Sequence, residues 1–449
     1  MAAVYDVLLR WDSETKEVVP QLAKSLQPND EFTTWTLKLR DGVTFSDGTP
    51  LDAAAVKWSL QRYVEKRGPY AQLWADNVTA VQTPDAHTVI FELATSWPGL
   101  KFLLTSGFGM IVAQSAVAGE TFTPVGAGAF AFVRHSPHEA IVLEANENYW
   151  DGRPNLDSVR VVFLDDQHAV VDSLNSGGID MGFLRDPDLV DETLAAGNPG
   201  YLDMAALGNV AVINASEGHP GTDPRVRKAM QMAINPEVIQ QRVYGGAGVA
   251  SSAIYPEYSR WHTDVESLPY DPEQATKLLE QAKADGFDGL VTYTDGQDPS
   301  SRAAALAVKA SLEAVGFTVG LDMLRSVDDQ VRKVEVEQNY DVAGYGMSWR
   351  EAGPYVQMFS TLHSQGTDTV GMATGPDMDG LIAEFQKAAT EGEKREIMDR
   401  IQAKWNELVP ALVFGPTPTF VAWPDRIHGV DSNWRSVVLL DDAWVAPAG

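Results

Sequence analysis

Two short patterns in the sequence have the residue types and spacing of reactive sites. Ser13 and Lys16 match the Ser-x-x-Lys arrangement of a serine nucleophile, but neither a Ser-Asp-Asn nor a Lys-Thr-Gly partner is present. His135 and His138 have a metal-like spacing, but Pro137 between them prevents the helix that would place both rings on one face. We interpret the first pattern as a solvated turn and the second as a surface loop.

Other catalytic signatures are absent from the sequence. It contains no Gly-x-Ser-x-Gly elbow, no Walker A phosphate loop and no His-Glu-x-x-His zinc motif. The glycine-rich run at 245–248 follows a predicted helix and lacks the Gly-x-Gly-x-x-Gly spacing, so we interpret it as a hinge or loop. The sequence therefore predicts no catalytic residue, no metal site and no cofactor.

Charge and composition exclude further classes. The 449 residues include 34 Lys plus Arg and 62 Asp plus Glu, a formal charge of −28 that disfavours nucleic acid and anionic lipid as partners. The absence of cysteine excludes disulfides, thiolate metal sites and cysteine nucleophiles. No uncharged apolar run reaches the length of a membrane span, and no signal peptide precedes Val4. We expect either a cytosolic protein or an exported one whose leader is missing from this sequence.

The first part of the chain, up to about residue 165, has the hydrophobic pattern of strands and turns. Trp35, Leu37 and Leu39 alternate with polar residues, the period of a half-buried strand. A helix is predicted immediately after Asp52, which can cap it.

From about residue 220 the pattern changes to alternating helices and strands. Asp-Pro pairs at 223–224 and 271–272 are typical helix starts, and a further helix is predicted at 327–337. Strands are predicted at 411–414 and 419–423 near the end of the chain. The alternation favours a parallel sheet with covering helices, so we expect two lobes that both contain α and β structure.

Aromatic residues are numerous, with 12 Trp, 13 Tyr and 16 Phe. Large two-lobed α/β proteins that lack catalytic motifs often bind a small molecule between the lobes, and aromatic side chains suit the walls of such a site. Core packing is the alternative interpretation and accounts for most of these residues, so composition leaves open which of them line a site.

Several ordered motifs resemble those of a known family. They are the Trp-Thr-Leu-Lys-Leu-Arg-Asp-Gly-Val-Thr-Phe-Ser-Asp-Gly-Thr-Pro-Leu stretch at 35–51, Gly-Ala-Gly-Ala-Phe at 126–130, Asp-Pro-Arg-Val-Arg-Lys-Ala at 223–229 and Tyr-Asp-Pro-Glu-Gln-Ala at 270–275. Their order and spacing over nearly the whole chain resemble the bacterial extracellular solute-binding proteins of family 5. That family serves ABC importers for peptides, nickel complexes and some oligosaccharides.

The resemblance implies an α/β fold of the periplasmic-binding-protein type, in its large cluster C form with two lobes and an extra β-rich subdomain. It implies that residues 1–22, 136–208 and 413–449 form the first lobe, 23–135 the extra subdomain and 209–412 the second lobe. It also implies a monomeric extracytoplasmic protein, periplasmic or lipid-anchored. Such a protein closes on its solute by a hinge motion and passes the solute to a membrane permease.

The sequence departs from the family at a segment that resembles Gly-Trp-x-x-Asp, in which the Asp of peptide-binding members pairs with the peptide's α-ammonium. In this segment, which begins at Gly346, Met347 takes the place of the Trp and Arg350 that of the Asp. The arginine reverses the local charge, which disfavours an ammonium and suits a bidentate contact with a carboxylate or phosphate. The alternative for Arg350 is a salt bridge to Glu351 or Asp341.

Five further residues are candidate ligand contacts. Trp349 offers a stacking face for a sugar or an aromatic ring, with core packing as the alternative. Phe108 lies in a segment that resembles the family's cleft-facing loop, and Asn214 follows the expected hinge. Trp261 and Tyr355 are aromatic residues expected in loops of the second lobe.

We expect a non-enzymatic solute receptor of an ABC importer whose solute is oligopeptide-like, glycosidic, aromatic or anionic. The alternative is a hydrolase-type enzyme whose cleft active site has no recognisable motif. A chaperone or sensor role is a third possibility, because a fold does not determine a function. Turnover of a substrate would identify the second possibility, and stable complexes with proteins would identify the third.

Overall fold

The chain forms two compact units, each built from more than one segment of the sequence. The computed structural model describes residues 1–164 and 166–447. The first unit comprises residues 1–183, 196–203 and the segment from 420 onward, and the second comprises 184–195 and 204–419.

The five-segment division implied by the family resemblance stays a prediction. Two of its segments, 136–208 and 413–449, include residues outside the described part of the chain, namely Asp165 and residues 448 and 449. Among the helices that the structure describes, none is long and apolar enough to span a bilayer.

The helices and strands are numbered along the chain. The strands are β1 Leu9–Asp12, β2 Glu17–Pro20, β3 Ala23–Pro28, β4 Thr34–Leu39, β5 Val78–Asp85, β6 Thr88–Leu93, β7 Val117–Ala118, β8 Thr121–Phe122, β9 Phe130–Ser136, β10 Ala140–Ala145, β11 Ser158–Val162, β12 Gly182–Leu184, β13 Gly200–Ile213, β14 Leu290–Gly296, β15 Thr318–Leu324, β16 Val342–Tyr345, β17 Ala411–Ala422, β18 Ile427–His428, β19 Asp431–Ser432, β20 Val438–Leu439 and β21 Trp444–Val445. The helices are α1 Ala2–Tyr5, α2 Ala53–Glu65, α3 Ala71–Asn77, α4 Leu100–Leu103, α5 Gln167–Asn175, α6 Pro187–Ala195, α7 Pro224–Ala233, α8 Pro236–Tyr244, α9 Pro272–Ala284, α10 Pro299–Ala314, α11 Val327–Gln330, α12 Tyr355–Leu362, α13 Pro376–Lys387 and α14 Glu391–Leu408.

Two antiparallel sheets of the first unit have more than two strands. One has four strands in the order β3-β4-β6-β5, and the other has three in the order β11-β10-β9. The alternation predicted in β4 is confirmed, because Trp35, Leu37 and Leu39 are all buried. The helix predicted after Asp52 is α2, and the Asp52 carboxylate caps it by accepting a hydrogen bond from the backbone N–H of Ala55 at 2.8 Å.

The glycines of the 126–130 motif allow α1 to approach the chain closely. A Cβ atom added to Gly126 would overlap the carbonyl oxygen of Val4, and one added to Gly128 would overlap that of Ala3. The backbone N–H of Gly128 donates to the Val4 oxygen at 2.9 Å. The motif is therefore required for packing the N-terminal helix within the first unit.

A mixed six-stranded sheet has the order β12-β17-β13-β16-β14-β15. Strand β14 pairs in parallel with both β15 and β16, which confirms the predicted parallel arrangement, whereas β13 and β16 are antiparallel. The hydrophobic core of the second unit includes Ile213, Val226, Leu279, Tyr293 and Leu312. Sheet strands and helices α7, α9 and α10 thus share one core.

The two Asp-Pro helix starts of the second unit are confirmed. Asp223 caps α7 by accepting from the N–H of Arg225 at 2.8 Å, and Asp271 caps α9 by accepting from the N–H of Gln274 at 2.9 Å. In both helices proline occupies the first turn, where its missing N–H costs no intrahelical hydrogen bond.

Two predictions about local structure are wrong in detail. The strands predicted at 411–414 and 419–423 are the single strand β17, whose 12 residues are all buried. Pro416 and Pro418 do not end it, because the φ angle that proline fixes is compatible with extended backbone. The helix predicted at 327–337 is α11 followed by the π-helical turn Val331–Val336, a change of hydrogen-bonding pattern that apolar spacing does not reveal.

Candidate functional site

The candidate site is built on the segment that follows β16 in the second unit. The carboxyl ends of β14, β15 and β16 lie at one edge of the sheet, the edge at which open α/β sheets generally bind ligands. The segment leaving β16 then runs beside β13. The N–H groups of Met347 and Trp349 donate to the carbonyls of Leu207 and Ala206 at 2.9 and 2.8 Å, and Ala206 N–H donates to the Trp349 carbonyl at 2.9 Å. These bonds fix the backbone from which the candidate side chains project.

Arg350 is buried in the second unit with only 5% of its surface exposed. Its Nη1 donates a hydrogen bond to Oγ1 of Thr419 at 3.0 Å, and its carbonyl accepts one from the Tyr255 hydroxyl at 3.3 Å. Because a buried charge is costly unless it is hydrogen-bonded, the Thr419 hydroxyl helps to keep the guanidinium in place. Asp341 was one of the two carboxylates considered as ion-pair partners of Arg350. Its carboxylate accepts a hydrogen bond from the N–H of Thr292 at 2.9 Å and lies 3.0 Å from Nδ1 of His219.

Trp349 lies in the interior of the second unit with no exposed surface. Its Nε1 donates to Oγ1 of Thr361 on α12 at 3.0 Å, and its ring lies 6.3 Å from that of Tyr255. This position agrees with the core-packing alternative for Trp349. Its contact with a solute stays a prediction.

Three other candidates lie beside the same segment. Trp261 donates from Nε1 to the carbonyl of Glu351 at 2.9 Å, and the Arg260 guanidinium lies 4.8 Å from the centre of its ring. Met347 is 3% exposed, and Tyr355 is the first residue of α12. The structure therefore brings Trp261 to the segment that carries Met347, Trp349 and Arg350, and Tyr355 follows that segment in the sequence.

Phe108 belongs to the first unit. It is 1% exposed, and its ring lies 4.9 Å from that of Tyr63 and 4.6 Å from that of Trp74. This aromatic cluster fixes the ring inside the unit. Phe108 as a ligand contact stays a prediction.

Asn214 lies apart from the 347–355 segment and has partners at both ends of its carboxamide. Nδ2 donates to the carbonyl of Gln338 at 2.8 Å, and Oδ1 accepts from the N–H of Ser216 at 3.0 Å. The side chain is fully buried. Its bonds connect the end of β13 to the loop before β16, which is a positioning role, and its contact with a solute stays a prediction.

Asp295 is a buried acid at the carboxyl end of β14 that the sequence interpretation missed. It accepts hydrogen bonds from the Tyr293 hydroxyl at 3.2 Å and the Gly296 N–H at 2.8 Å. Burial raises the pKa of its carboxyl to about 6, against the lowering effect of those hydrogen bonds. A Cβ atom on Gly344 of the neighbouring strand would overlap this carboxylate. The Asp-Gly pair at the end of β14 was the available signal in the sequence.

A polar hollow of about 350 Å³ lies near the carboxyl end of β15. Arg325, Arg332 and Lys333 line it together with Asp329 and Glu337. Arg332 forms ion pairs with both acids, at 2.9 and 3.8 Å. The charges of the hollow therefore largely cancel, and it does not form a strongly cationic site. Within the described part of the chain, no group of three His, Cys, Asp or Glu side chains is arranged to hold a metal ion.

The model of the family described as "Bacterial extracellular solute-binding proteins, family 5 Middle" matches residues 17–369. The chain belongs to this family. The resemblance and the fold class predicted from the sequence are thereby confirmed, since solved structures of the family superimpose on nearly the whole chain.

Three similar proteins illustrate the range of the family. Heme-binding protein A of Haemophilus influenzae is 23% identical over 95% of this chain and 84% of its own length. A putative ABC transporter peptide-binding protein of Brucella ovis is 25% identical over 71% of this chain and 63% of its own length, so the match spans less than two thirds of that relative. The PBP AgaA from A. tumefaciens R10, solved in complex with agropinic acid, has a TM-score of 0.85 at 21% identity, covering 100% of this chain and 94% of that one.

The family assignment confirms the predicted function at the level of the class. This family 5 protein is the substrate-binding component of an ABC-type importer and not an enzyme, and its family acts outside the cytoplasm. The hydrolase alternative finds no support. The identity of the solute and the residues that bind it stay open, because relatives below 26% identity bind chemically different molecules.

Proposed function

We propose that this family 5 protein captures a small solute with a carboxylate or another anionic group, between its two lobes and by hinge closure. Arg350 is the observation that carries the proposal. In peptide-binding members that resemble one another at this segment, the position carries an Asp that binds an ammonium group. In this chain it carries a buried guanidinium, so the charge that the position prefers in a ligand is reversed. Trp261, which donates to the carbonyl of Glu351, the residue after Arg350, leads us to expect an aromatic or glycosidic body for the solute.

The chemical variety among relatives supports a solute other than an ordinary peptide. One relative is named for heme, one for peptides, and one structural neighbour was solved with agropinic acid. A family that accommodates such different molecules on one fold changes its specificity through individual side chains in the site. A substitution that reverses charge at one position is the simplest such change.

Binding then works as a population shift. A solute that contacts both lobes binds the closed state more tightly than the open one, and it shifts the equilibrium by that difference in affinity. The membrane permease recognises the closed form and receives the solute from it. Attachment of the protein to the membrane by a lipid is a further expectation from the family resemblance.

A thermal-shift screen tests the proposal. The probes are hippurate, which carries a carboxylate, an amide and an aromatic ring, together with trialanine, maltotriose and a nickel–histidine chelate. A solute at 100 times its dissociation constant stabilises the fold by about 2.7 kcal/mol, enough for a clear shift in melting temperature. We expect the largest shift with an anionic probe and its loss in Arg350→Ala. A large shift with trialanine that persists in Arg350→Ala would leave the protein a solute receptor but contradict the proposed anionic solute.

A further inference from the structure

Gln357 is a buried glutamine on α12. All eight residues of this helix are buried, and Gln357 is 2% exposed. Within the described part of the chain, neither Nε2 nor Oε1 of Gln357 has a hydrogen-bond partner. A carboxamide offers two donors and one acceptor, and each buried group left unpaired destabilises the fold.

Three other buried glutamines of the second unit provide a comparison. Gln402 uses both ends of its amide: Oε1 accepts from Ile254 N–H at 3.0 Å, and Nε2 donates to Asn406 at 3.0 Å. Gln231 and Gln240 each use one end, toward backbone groups of β17. Gln357 differs from these three because both of its ends are without a partner, so packing alone does not explain an amide at this position.

The position of Gln357 connects it to the candidate site. Residues 357 and 361 are one helical turn apart and lie on the same face of α12. Thr361 on that face accepts the hydrogen bond of the Trp349 indole. The face of α12 that carries Gln357 therefore packs toward the 347–350 segment that contains Arg350.

We propose that the carboxamide of Gln357 is a specificity-determining contact that binds a neutral group of the solute with a donor and an acceptor side by side. An amide bond has this chemistry, and so do neighbouring hydroxyl groups of a sugar. The inference rests on the proposed function and adds to it: Arg350 binds the anionic group, and Gln357 binds a neutral polar group of the same molecule. Solute binding then supplies the hydrogen bonds that the amide lacks.

Gln357→Met and Gln402→Met are a matched pair for the test, because methionine replaces the amide by an apolar chain of similar length. Gln357→Met removes groups that have no protein partner, so we expect the melting temperature of the solute-free protein to stay unchanged or to rise. Gln402→Met leaves the N–H of Ile254 without its acceptor, so we expect it to lower that temperature by several degrees. Only Gln357→Met is expected to weaken binding, by about ten-fold or more.

The binding arm uses calorimetry with four probes. Hippurate and 4-phenylbutanoate have similar length and a carboxylate, but only hippurate has an amide. Trialanine and maltotriose distinguish an amide from hydroxyl groups as the source of the donor and acceptor. We expect Gln357→Met to lower the affinity for hippurate toward that for 4-phenylbutanoate, which lacks the amide. If hydroxyl groups are the source of the donor and acceptor, we expect the affinity for maltotriose to fall as well.

Support requires weaker binding by Gln357→Met together with unchanged or higher stability without solute. If Gln357→Met lowers stability as much as Gln402→Met, or binds as tightly as wild type, the Gln357 contact is overturned while the proposed function stands. If the wild-type protein binds none of the probes, the proposed anionic solute fails together with the inference. The two failures are therefore distinguishable.

Discussion

The guanidinium of Arg350 donates a hydrogen bond from Nη1 to the hydroxyl of Thr419 at 3.0 Å, and both side chains are buried in the second unit. The bond joins the segment after β16 to the long strand β17. It gives a fixed direction to a charged side chain that would otherwise have many rotamers. A side chain fixed in this way would lose less conformational entropy on binding the proposed anionic solute.

Substitution of Arg350 tests its role in binding. We expect Arg350→Ala to weaken the binding of an anionic solute such as hippurate by about 10- to 100-fold, the effect of losing hydrogen bonds to a charged group. Arg350→Lys keeps the charge but loses the planar guanidinium, so its affinity for hippurate should lie between that of wild type and that of Arg350→Ala. Calorimetry measures both. Arg260→Ala is the control, because the Arg260 side chain is 42% exposed and bonds to Glu351 in the same segment. An equal loss of affinity for hippurate in that variant would show a non-specific charge effect.

The bond between Trp349 and Thr361 is expected to stabilise the second unit. Trp349→Phe, Thr361→Val and the double variant form a cycle in which only the indole–hydroxyl bond is shared. We expect a coupling energy of about 1 kcal/mol in urea unfolding, typical of one buried hydrogen bond. Additive effects would mean that the bond contributes nothing to stability.

Asp295 predicts a dependence of stability on pH. Burial raises the pKa of its carboxyl to about 6 in the folded protein, above the ordinary value of 3.8. The stabilising contribution of the protonated form is therefore complete below about pH 4 and is lost as pH rises through about 6. At pH 7.5 wild type should have lost up to roughly 3 kcal/mol relative to its value at pH 4, whereas Asp295→Asn should lack this component. Urea unfolding at both pH values checks the difference, and parallel pH profiles for the two proteins would contradict it.

The close approach of α1 to the 126–130 motif predicts that Gly128→Ala is strongly destabilising. The added methyl group would overlap a carbonyl oxygen of the backbone, which cannot move aside as a flexible side chain can. We expect a loss of about 2 kcal/mol or more in thermal or urea unfolding, since the first unit must rearrange. Gly107→Ala in the same unit is the control, because a Cβ there meets no atom within 4 Å. Equal stability of the two variants would refute the packing role of the motif.

Local patterns in the sequence were sufficient to predict several of the helices and strands of the fold. The cap residues Asp52, Asp223 and Asp271 act within three residues of their own position, so their role is visible in the sequence. The buried residues of β4 follow from a period of two. The single strand β17 was missed because its continuity depends on neighbouring strands.

The candidate site was harder to predict because it depends on contacts between distant positions. Arg350 and Trp349 were found through their place in a family-like segment, but their partners Thr419 and Thr361 are not indicated by any local pattern. Asn214 is bonded to Gln338, which is 124 positions away. Gln357 went unnoticed because the sequence does not show which buried amides lack a partner.

Strand β17 has a consequence for the biosynthesis of the protein. The chain passes between the two units at 183–184, 195–196, 203–204 and 419–420. The last of these boundaries falls within β17, at 411–422, so this strand contains residues of both units. A ribosome that has translated the first 400 residues has therefore released a complete version of neither unit. Neither unit is complete before the last tenth of the chain is synthesised, so we expect the nascent polypeptide to remain accessible to chaperones until that point.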